Sequence, residues 1–386
     1  MPIKKSEIKT ELDQLKYDYM RAYQRLWDAK KRSKVPKDLK KYEECLAGLK
    51  AKIDKITGLA PGHRTVHELD RSEYKKEFVP DKDYLESMPD LQNSQFIGTP
   101  IDFVGIEGMK IPLKIRQKKG GTQEVICDIT GTVSLDAAKR GINMSRILRS
   151  LQKTTKDAVT FDINDLEKVL KAYQKDLDTF DAHILMNFPY RMWQPSLRSV
   201  DDDNNPNGGW QYYNVTFDCN LDVNGEFKKI IWFDYVYSSA CPCSTELSMH
   251  AQETRGVYAI PHSQRSVARL GIEMGHTLIW IEDILNMCKK AIPTEVQVFV
   301  KREDEQAFAE MNGANTIFVE DAVRKLGSIL EDNSAIMDYK IICSHAESLH
   351  GHQAIAVITR GRHRTGGASI FNHHVSLEEW KSISHN

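Results

Sequence analysis

The sequence has no apolar run long enough to cross a bilayer and no excess of charge of one sign. Its 386 residues include 53 basic and 54 acidic side chains, and 41% of residues are hydrophobic. These are ordinary values for a globular protein with a sizeable core. The missing apolar run argues against a membrane protein, and the near-zero net charge argues against a dedicated nucleic-acid-binding protein.

Targeting and disulfide signals are also lacking. The opening residues MPIKKSEIKTELDQ have no apolar core of a secretory signal, so we expect a cytoplasmic protein. Seven cysteines is an odd number, and two of them stand in Cys241-Pro242-Cys243, which favours reduced thiols over a disulfide framework. The other five lie in apolar-periodic segments and are predicted to be small buried hydrophobic residues. They are Cys45, Cys127, Cys219, Cys288 and Cys343.

Neither G-x-x-x-x-G-K-[ST] nor G-x-G-x-x-G occurs in the chain. A bound nucleotide would therefore not be held as in a P-loop NTPase or a Rossmann enzyme. The basic, glycine-rich stretch at 361–367 is predicted to be a surface loop.

Changes in periodicity divide the chain into five segments. Residues 1–58 are predicted to form a helical hairpin and residues 59–95 a connecting segment. Antiparallel strands with paired helices then occur twice, over 96–225 and 226–374, and residues 375–386 form a C-terminal tail. This order of elements predicts an α+β fold with two tandem modules.

The individual elements follow from apolar spacing and turn residues. The predicted strands are 111–116, 124–133, 212–223, 227–238, 266–274, 295–301, 339–344 and 354–359. The predicted helices are 144–151, a run opened by Asp162 with Asp165 three residues on, 278–288, 306–311 and 319–330. Asn224-Gly225 predicts a tight hairpin between two of the strands.

Two clusters carry the clearest chemical signals. Cys241 and Cys243 stand where a long strand runs out, and either thiol could bind a metal or act as a nucleophile once deprotonated. Residues 343–352 include three histidines and Glu347 between two strand patterns. Imidazole and carboxylate groups in such a loop suit a zinc, iron or manganese site. The alternative is a solvated polar turn. His345 and His352 are the histidines expected to take no part in a site.

Weaker signals lie at helix starts and before one strand. Glu305 and Glu320 each stand in the first turn of a predicted helix, where an acidic residue either serves the helix dipole or takes part in a site. His262 precedes a strand, and it could line a site together with Gln264 and Arg265.

These stretches, in this order, resemble the GTP cyclohydrolase I type IB family. The resemblance covers roughly residues 90 to 360 and rests on eight short matches. They are Asp90-Leu91-Gln92, Val104-Gly105-Ile106, Gly141-Ile142-Asn143-Met144-Ser145-Arg146, Ser239-Ala240-Cys241-Pro242-Cys243-Ser244, His262-Ser263-Gln264-Arg265-Ser266, Asp304-Glu305-Gln306, Phe318-Val319-Glu320-Asp321 and Glu347-Ser348-Leu349-His350-Gly351-His352. The family implies the tunnelling fold, with a homo-oligomer, a dimer or tetramer, whose active sites lie where subunits meet.

Residue roles are carried over from the resemblance by position. It implies one divalent metal per site, zinc, ferrous iron or manganese, bound by Cys241, Glu305, Glu347 and His350. It further implies proton transfer by Cys243 and His262, and a guanine-anchoring carboxylate at Glu320. A carboxylate can accept from both N1–H and the 2-amino group of guanine, a pattern that adenine does not offer.

The implied reaction is the hydrolytic opening of the guanine ring of GTP at C8, with release of formate and formation of 7,8-dihydroneopterin triphosphate. Candidates for the triphosphate are Arg146, Arg265, Lys301 and Arg302, which carry forked or flexible cations. The stretch between Cys243 and His262 is longer than the family's usual spacing.

Three other functions fit the same residues. The first is a tunnelling-fold nitrile reductase with a nucleophilic cysteine, which would need NADPH. The second is a cyclohydrolase that stops at a cyclic phosphate, and the third is a non-catalytic protein that binds a metal or a purine.

Overall fold

The structure, a computed structural model, describes residues 36–57, 79–89, 98–156 and 160–360, with position 92 and separate positions between 11 and 25 and between 369 and 379. The chain divides into two units, Met1–Met88 and Pro89–Asn386. No helix among the described residues is both long and apolar enough to span a membrane.

The first unit contains helix α1, Pro36–Thr57, which lies within the predicted hairpin. It also contains a short helix α2, Lys82–Glu86, which was not predicted. The described positions between 11 and 25 are helical, and Ala22 shares a small buried cluster with Leu46 of α1. Most of the first predicted helix lies outside the described residues, so the hairpin stays a prediction. The expected burial of Cys45 was wrong: it lies beside Leu46 on the exposed side of α1.

The second unit is built on one antiparallel sheet of eight strands whose spatial order equals their chain order. The strands are β1 Ile101–Arg116, β2 Thr122–Leu135, β3 Ala182–Val200, β4 Pro206–Leu221, β5 Phe227–Ala240, β6 Ser263–Met274, β7 Ile336–His345 and β8 Ala354–Arg360. Its helices are α3 Met144–Thr155, α4 Leu166–Leu177, α5 Pro242–Arg255, α6 Ile281–Ala291, α7 Arg302–Ala314 and α8 Val319–Glu331. The predicted α+β class is confirmed.

Local chemistry explains several boundaries. Asp162 and Asp165 form the expected capping box, through a short 3-10 turn that leads into α4. Gly225 has φ +79° in the turn between β4 and β5, where the predicted hairpin is confirmed.

Strand β3, 19 residues long, was not predicted. Pro189 and Pro195 argue against a strand because proline lacks the N–H that a central strand needs. However, β2 pairs with β3 only from Ala182 to Asn187, so both prolines lie beyond that ladder, where the strand has β4 as its paired neighbour.

The predicted strand at 295–301 was wrong. Its alternating valines resemble a strand, yet Glu295 makes only an isolated bridge to Tyr237. Beyond the Val296 N–H, which donates to the Val236 carbonyl at 3.3 Å, the segment bonds to a side chain: Gln194 donates to the Val296 carbonyl at 2.9 Å and accepts from the Val298 N–H at 2.9 Å.

Alternation along the strands gives the sheet two different faces. One face carries apolar and aromatic side chains, such as Phe233, Tyr235 and Leu270, which pack with the helices in the main core. The other face carries hydrogen-bonded polar residues. On it, Arg269 Nε donates to Asp234 Oδ1 at 2.6 Å, and Asn214 donates to the same carboxylate at 3.1 Å.

Positions from the C-terminal region cover part of this polar face. Phe371 packs edge-on against Trp232, and Lys340, which is 2% exposed, donates to Glu379 at 2.7 Å. Charged groups are therefore buried on this face in pairs, as burial requires.

The buried pair of Asp234 and Arg269 gives a stability test. Arg269→Met should lower the free energy of unfolding by about 3–5 kcal/mol, because it leaves the carboxylate buried without its cation. Urea denaturation at one fixed protein concentration measures the loss. The double variant Asp234→Leu/Arg269→Met should lose less than Arg269→Met alone, and an equal or larger loss would contradict this account.

Candidate active site

Three strands end together at one edge of the second unit. Ala240 at the end of β5 pairs with Ser263 at the start of β6, and Ser266 pairs with His345 at the end of β7. Residues just beyond these ends are therefore neighbours, although the chain separates them by up to a hundred positions. This register brings Cys241, His262 and Glu347 to one place, which we call the catalytic end of the sheet.

Cys241 is the N-cap of α5, and Pro242 occupies the first helical position. The Cys241 N–H donates to the His262 carbonyl at 3.1 Å, and its carbonyl accepts from Thr245 N–H at 3.0 Å. Helix α5 was not predicted, although proline at a first helical position is a known start signal. Cys243 lies exposed in the first turn of this helix.

His262 and Glu347 approach each other across the catalytic end. Nδ1 of His262 is 3.7 Å from Oε2 of Glu347, and both side chains are less than one-fifth exposed. The same Nδ1 lies 3.2 Å from Oε1 of Gln264, and the His262 N–H donates to Ser244 Oγ at 3.2 Å. His262 is thus held by hydrogen bonds at its backbone N–H and at its ring Nδ1.

Helix α8 begins beside the same strand end. The Ile317 N–H donates to the Ala240 carbonyl at 3.0 Å, and Glu320 stands exposed in the first turn of α8. The start of α8, which carries Glu320, therefore lies beside the end of β5.

The loop 346–353 carries His350, which is exposed and stacked on His352 with ring centroids 4.8 Å apart. His345 is not part of this loop. It is buried at the end of β7, where Nε2 lies 3.0 Å from the Tyr237 hydroxyl, and burial lowers the pKa of His345 to about 4. A neutral, bonded core histidine fits the bystander role expected for it.

Glu305 and Lys301 stand at the start of α7. Asp304 between them is buried and accepts from the N–H groups of Ser199 at 2.8 Å and Lys301 at 2.9 Å, so it caps the helix. Burial alone would raise the pKa of Asp304, but these hydrogen bonds lower it well below its ordinary value. Glu305 is exposed, and Lys301 Nζ donates to the Val200 carbonyl at 3.4 Å.

The remaining predicted substrate residues lie elsewhere. Arg265 follows Gln264 in an extended strand and projects to the opposite, polar face of the sheet. Arg146 donates to the Asp176 carbonyl at 2.7 Å, near the end of α4. Arg146 therefore lies at the end of the sheet where β3 and β5 begin. The catalytic end lies where β5 ends, and the two ends of β5 are roughly 40 Å apart.

The donor set suits a metal in its chemistry, since thiolate, imidazole and carboxylate together accept zinc, ferrous iron or manganese. Among the described residues of one chain, however, no three such groups stand close enough to hold an ion. The nearest approach to a site is the pair of His262 and Glu347, with the Cys241 backbone bonded to that of His262.

Two serines behind this site were not predicted to take part in it. Ser239 and Ser266 are fully buried, with their hydroxyls 2.7 Å apart, and Gln264 joins them. Each occupies a position where strand alternation calls for an apolar residue. That mismatch was a readable signal.

Comparisons of the sequence with known proteins all point to one family. A family model described as type I GTP cyclohydrolase folE2 matches residues 88–356. GTP cyclohydrolase FolE2 of Cereibacter sphaeroides is 46% identical over 300 residues, which cover 76% of this chain and 81% of that protein. The FolE2 proteins of Dinoroseobacter shibae and Paracoccus denitrificans are 44% and 46% identical, over 79% and 75% of this chain and 83% and 89% of theirs.

Solved structures resemble the chain more distantly. Uricase from Arthrobacter globiformis has a TM-score of 0.44 and 9% identity, covering 76% of this chain and all of that one. A uricase from Bacillus fastidious has a TM-score of 0.41 and 8% identity, covering 72% and 99%. We base no argument on likenesses of this extent.

Thiol reactivity tests the placement of the cysteines. In the metal-free native protein, Cys45 and Cys243 should react rapidly with a disulfide reagent and half-buried Cys241 more slowly. The other four should react only after denaturation, because burial raises their pKa values, to about 12 for Cys127 and Cys343. Cys241→Ala identifies its share of the signal, and more than three reactive thiols in the native protein would contradict the structure.

Proposed function

This chain belongs to the type I GTP cyclohydrolase folE2 family, and from that premise we propose how its residues perform the reaction. It is a hydrolase that acts on GTP, releasing formate and giving 7,8-dihydroneopterin triphosphate for pterin and folate synthesis. The observation that carries the proposal is the catalytic end of the sheet, where Cys241, His262 and Glu347 meet within the matched region.

Cys241, Glu347 and His350 would hold the divalent metal, with Glu305 as a fourth ligand. Cys241 follows the end of β5 and Glu347 follows the end of β7, on either side of the start of β6, and His350 lies three residues beyond Glu347 in an exposed loop. When bound, such an ion lowers the pKa of a water molecule and so supplies a nucleophile for C8 of guanine. Zinc, ferrous iron and manganese all suit these donors.

Glu320 would recognise guanine. Its carboxylate, exposed at the start of α8, can accept from N1–H and from the 2-amino group together. The hydrogen bond from Ile317, three residues before it, to the end of β5 supports a place for this carboxylate near the catalytic end. His262 and Cys243 would transfer protons beside it.

A basic cleft on α3 would hold the triphosphate. Arg146, Arg149 and Lys153 line a cleft of about 360 Å³, with Ser150 and Asp176 on its wall. Ser150 Oγ donates to the Asp176 carboxylate at 2.6 Å, so one oxygen of that carboxylate is already hydrogen-bonded within the wall. Two arginines and a lysine provide the forked and flexible cations that phosphate oxygens require.

This cleft and the catalytic end lie at opposite ends of the sheet within one chain, as the strand directions show. A single GTP molecule cannot bridge roughly 40 Å, the length of β5. We therefore place the cleft of one copy beside the catalytic end of another, in a homo-oligomer. Arg265 and Lys301 stay candidates for further phosphate contacts.

The tandem organisation is part of the same proposal. In chain order, the helix pair α3 and α4 lies between the strands β1 to β4, and α5 to α8 lie between the strands β5 to β8. The hairpin turn at 222–226 separates the two sets, close to the expected boundary between 96–225 and 226–374. The second module would then carry the metal and guanine contacts, and the first the phosphate contacts.

The activity is tested by incubating the metal-loaded protein with GTP. We expect formate release and a pterin that becomes fluorescent on oxidation, both reduced by at least about a hundredfold in Cys241→Ala and His350→Ala, because a lost ligand removes the activated water. Cys45→Ala, an exposed cysteine of α1, is the matched control and should keep full activity. Intact metal binding without formate would contradict the assignment and favour the nitrile reductase or the binding protein.

Sharing of the site between copies is tested by mixing two inactive variants. Arg146→Ala and Cys241→Ala homo-oligomers should each be nearly inactive, whereas oligomers reassembled from both should recover activity, because some sites combine the intact cleft of one copy with the intact catalytic end of another. The kcat per site is compared with that of wild type treated in the same way. No recovery in verified mixed oligomers would place both groups in one chain.

A further inference from the structure

A buried chain of hydrogen bonds leads away from His262. Gln264 accepts from His262 through Oε1, 3.2 Å from Nδ1, and donates through Nε2 to Ser239 Oγ at 2.9 Å. Ser239 and Ser266 are in turn joined at 2.7 Å. Gln264 is 9% exposed and the two serines are fully buried. The residues thus form one continuous support behind the imidazole.

This support interrupts the apolar face of the sheet. Further along the same strands, that face carries Tyr235, Ala268 and Leu270, which belong to the main core. Buried polar side chains stabilise little in net terms and are costly when a partner is missing. The placement of three such side chains directly behind His262 therefore indicates a role in the site.

The contacts of the ring indicate which ring nitrogen carries the hydrogen. Two oxygen atoms lie on the Nδ1 side of His262: Gln264 Oε1 at 3.2 Å and Glu347 Oε2 at 3.7 Å. A neutral imidazole has one donor and one acceptor nitrogen, and two acceptors beside Nδ1 select the form with hydrogen on Nδ1. Nε2 is then left with its lone pair.

We propose that Gln264 is a positioning residue that holds His262 in the Nδ1–H form, so that Nε2 serves as the proton acceptor of the reaction. The inference rests on the proposed role of His262 in proton transfer. In the forward reaction Nε2 takes one proton from the attacking water and returns it to a nitrogen of the opened ring, so His262 ends neutral. Holding one tautomer through a second hydrogen bond is how catalytic histidines are oriented in hydrolytic triads.

The orientation of Gln264 itself depends on Ser239. With its amide nitrogen donating to Ser239 Oγ, its oxygen must face the histidine. Ser239→Ala removes this anchor without touching His262, so it should weaken the preference for one tautomer less severely than loss of Gln264.

The first measurement needs no variant. Long-range ¹H–¹⁵N spectra of the histidine-labelled wild-type protein should show His262 as the Nδ1–H tautomer, with the signal assigned by its loss in His262→Asn. In Gln264→Met the same signal should shift toward a mixture of tautomers. A wild-type His262 in the Nε2–H form would overturn the proposal.

Steady-state kinetics of formate release provide the second test. Gln264→Met should lower kcat by about tenfold to a hundredfold, the range expected when general base catalysis is partly lost, with KM for GTP and metal content within about twofold. Gln264→Glu, which keeps an acceptor, should restore kcat to within about fivefold of wild type. Gln123→Met, at another buried glutamine whose amide bonds the Arg191 backbone, is the matched control and should leave kcat unchanged.

The outcomes separate this inference from the function on which it rests. A wild-type protein that releases no formate would contradict the proposed function, while the spectra would still report the tautomer. An unchanged kcat in Gln264→Met, or an equal loss in Gln264→Glu and Gln264→Met, would overturn the positioning role. If Gln264→Met does not fold, Ser239→Ala carries the test, with a smaller fall in kcat expected and an unchanged kcat and tautomer overturning it.

Discussion

The register between β5, β6 and β7 is the constraint on which the site depends. Pairing of Ala240 with Ser263 and of Ser266 with His345 sets the level at which three chain segments leave the sheet. A shift of β6 by one residue would turn every side chain of that strand to the other face. His262 and Gln264 would then face the polar side, and the catalytic end would no longer exist.

Charge pairs on the opposite face help to fix this register. Asp234 of β5 lies directly opposite Arg269 of β6, and the guanidinium meets the carboxylate through two hydrogen bonds. A slipped strand would bury both charges without partners, which is far more costly than a lost apolar contact. Lys340 of β7 is tied down in the same way by Glu379. The polar face therefore contributes to the chemistry indirectly, by making one alignment of the strands much more favourable than its neighbours.

The helices add what the strands cannot supply. Helix α5 follows its N-cap Cys241, and α8 begins at Val319, one residue before Glu320, so both N-termini lie at the catalytic end. An α-helix carries a partial positive charge at its N-terminus. Two weak local effects thus act on the groups proposed to bind the metal and the guanine.

Much of this was readable from the sequence, and the failures have physical causes. The capping residues of α4 and the Asn224-Gly225 hairpin were found because their signals are local. Strand β3 was missed because its prolines are acceptable only beyond the reach of β2, which depends on sheet topology. The catalytic end could be inferred only through family resemblance, since the register that joins Cys241 to Glu347 is not local. The separation of Arg146 from them likewise emerges only from strand directions.

The central claim is that the catalytic end binds the metal through a thiolate. X-ray absorption at the zinc edge of the zinc-loaded, catalytically active protein tests it most directly. The account predicts one sulfur neighbour at about 2.3 Å among nitrogen and oxygen ligands, lost in Cys241→Ala. A first coordination shell of nitrogen and oxygen alone would contradict it.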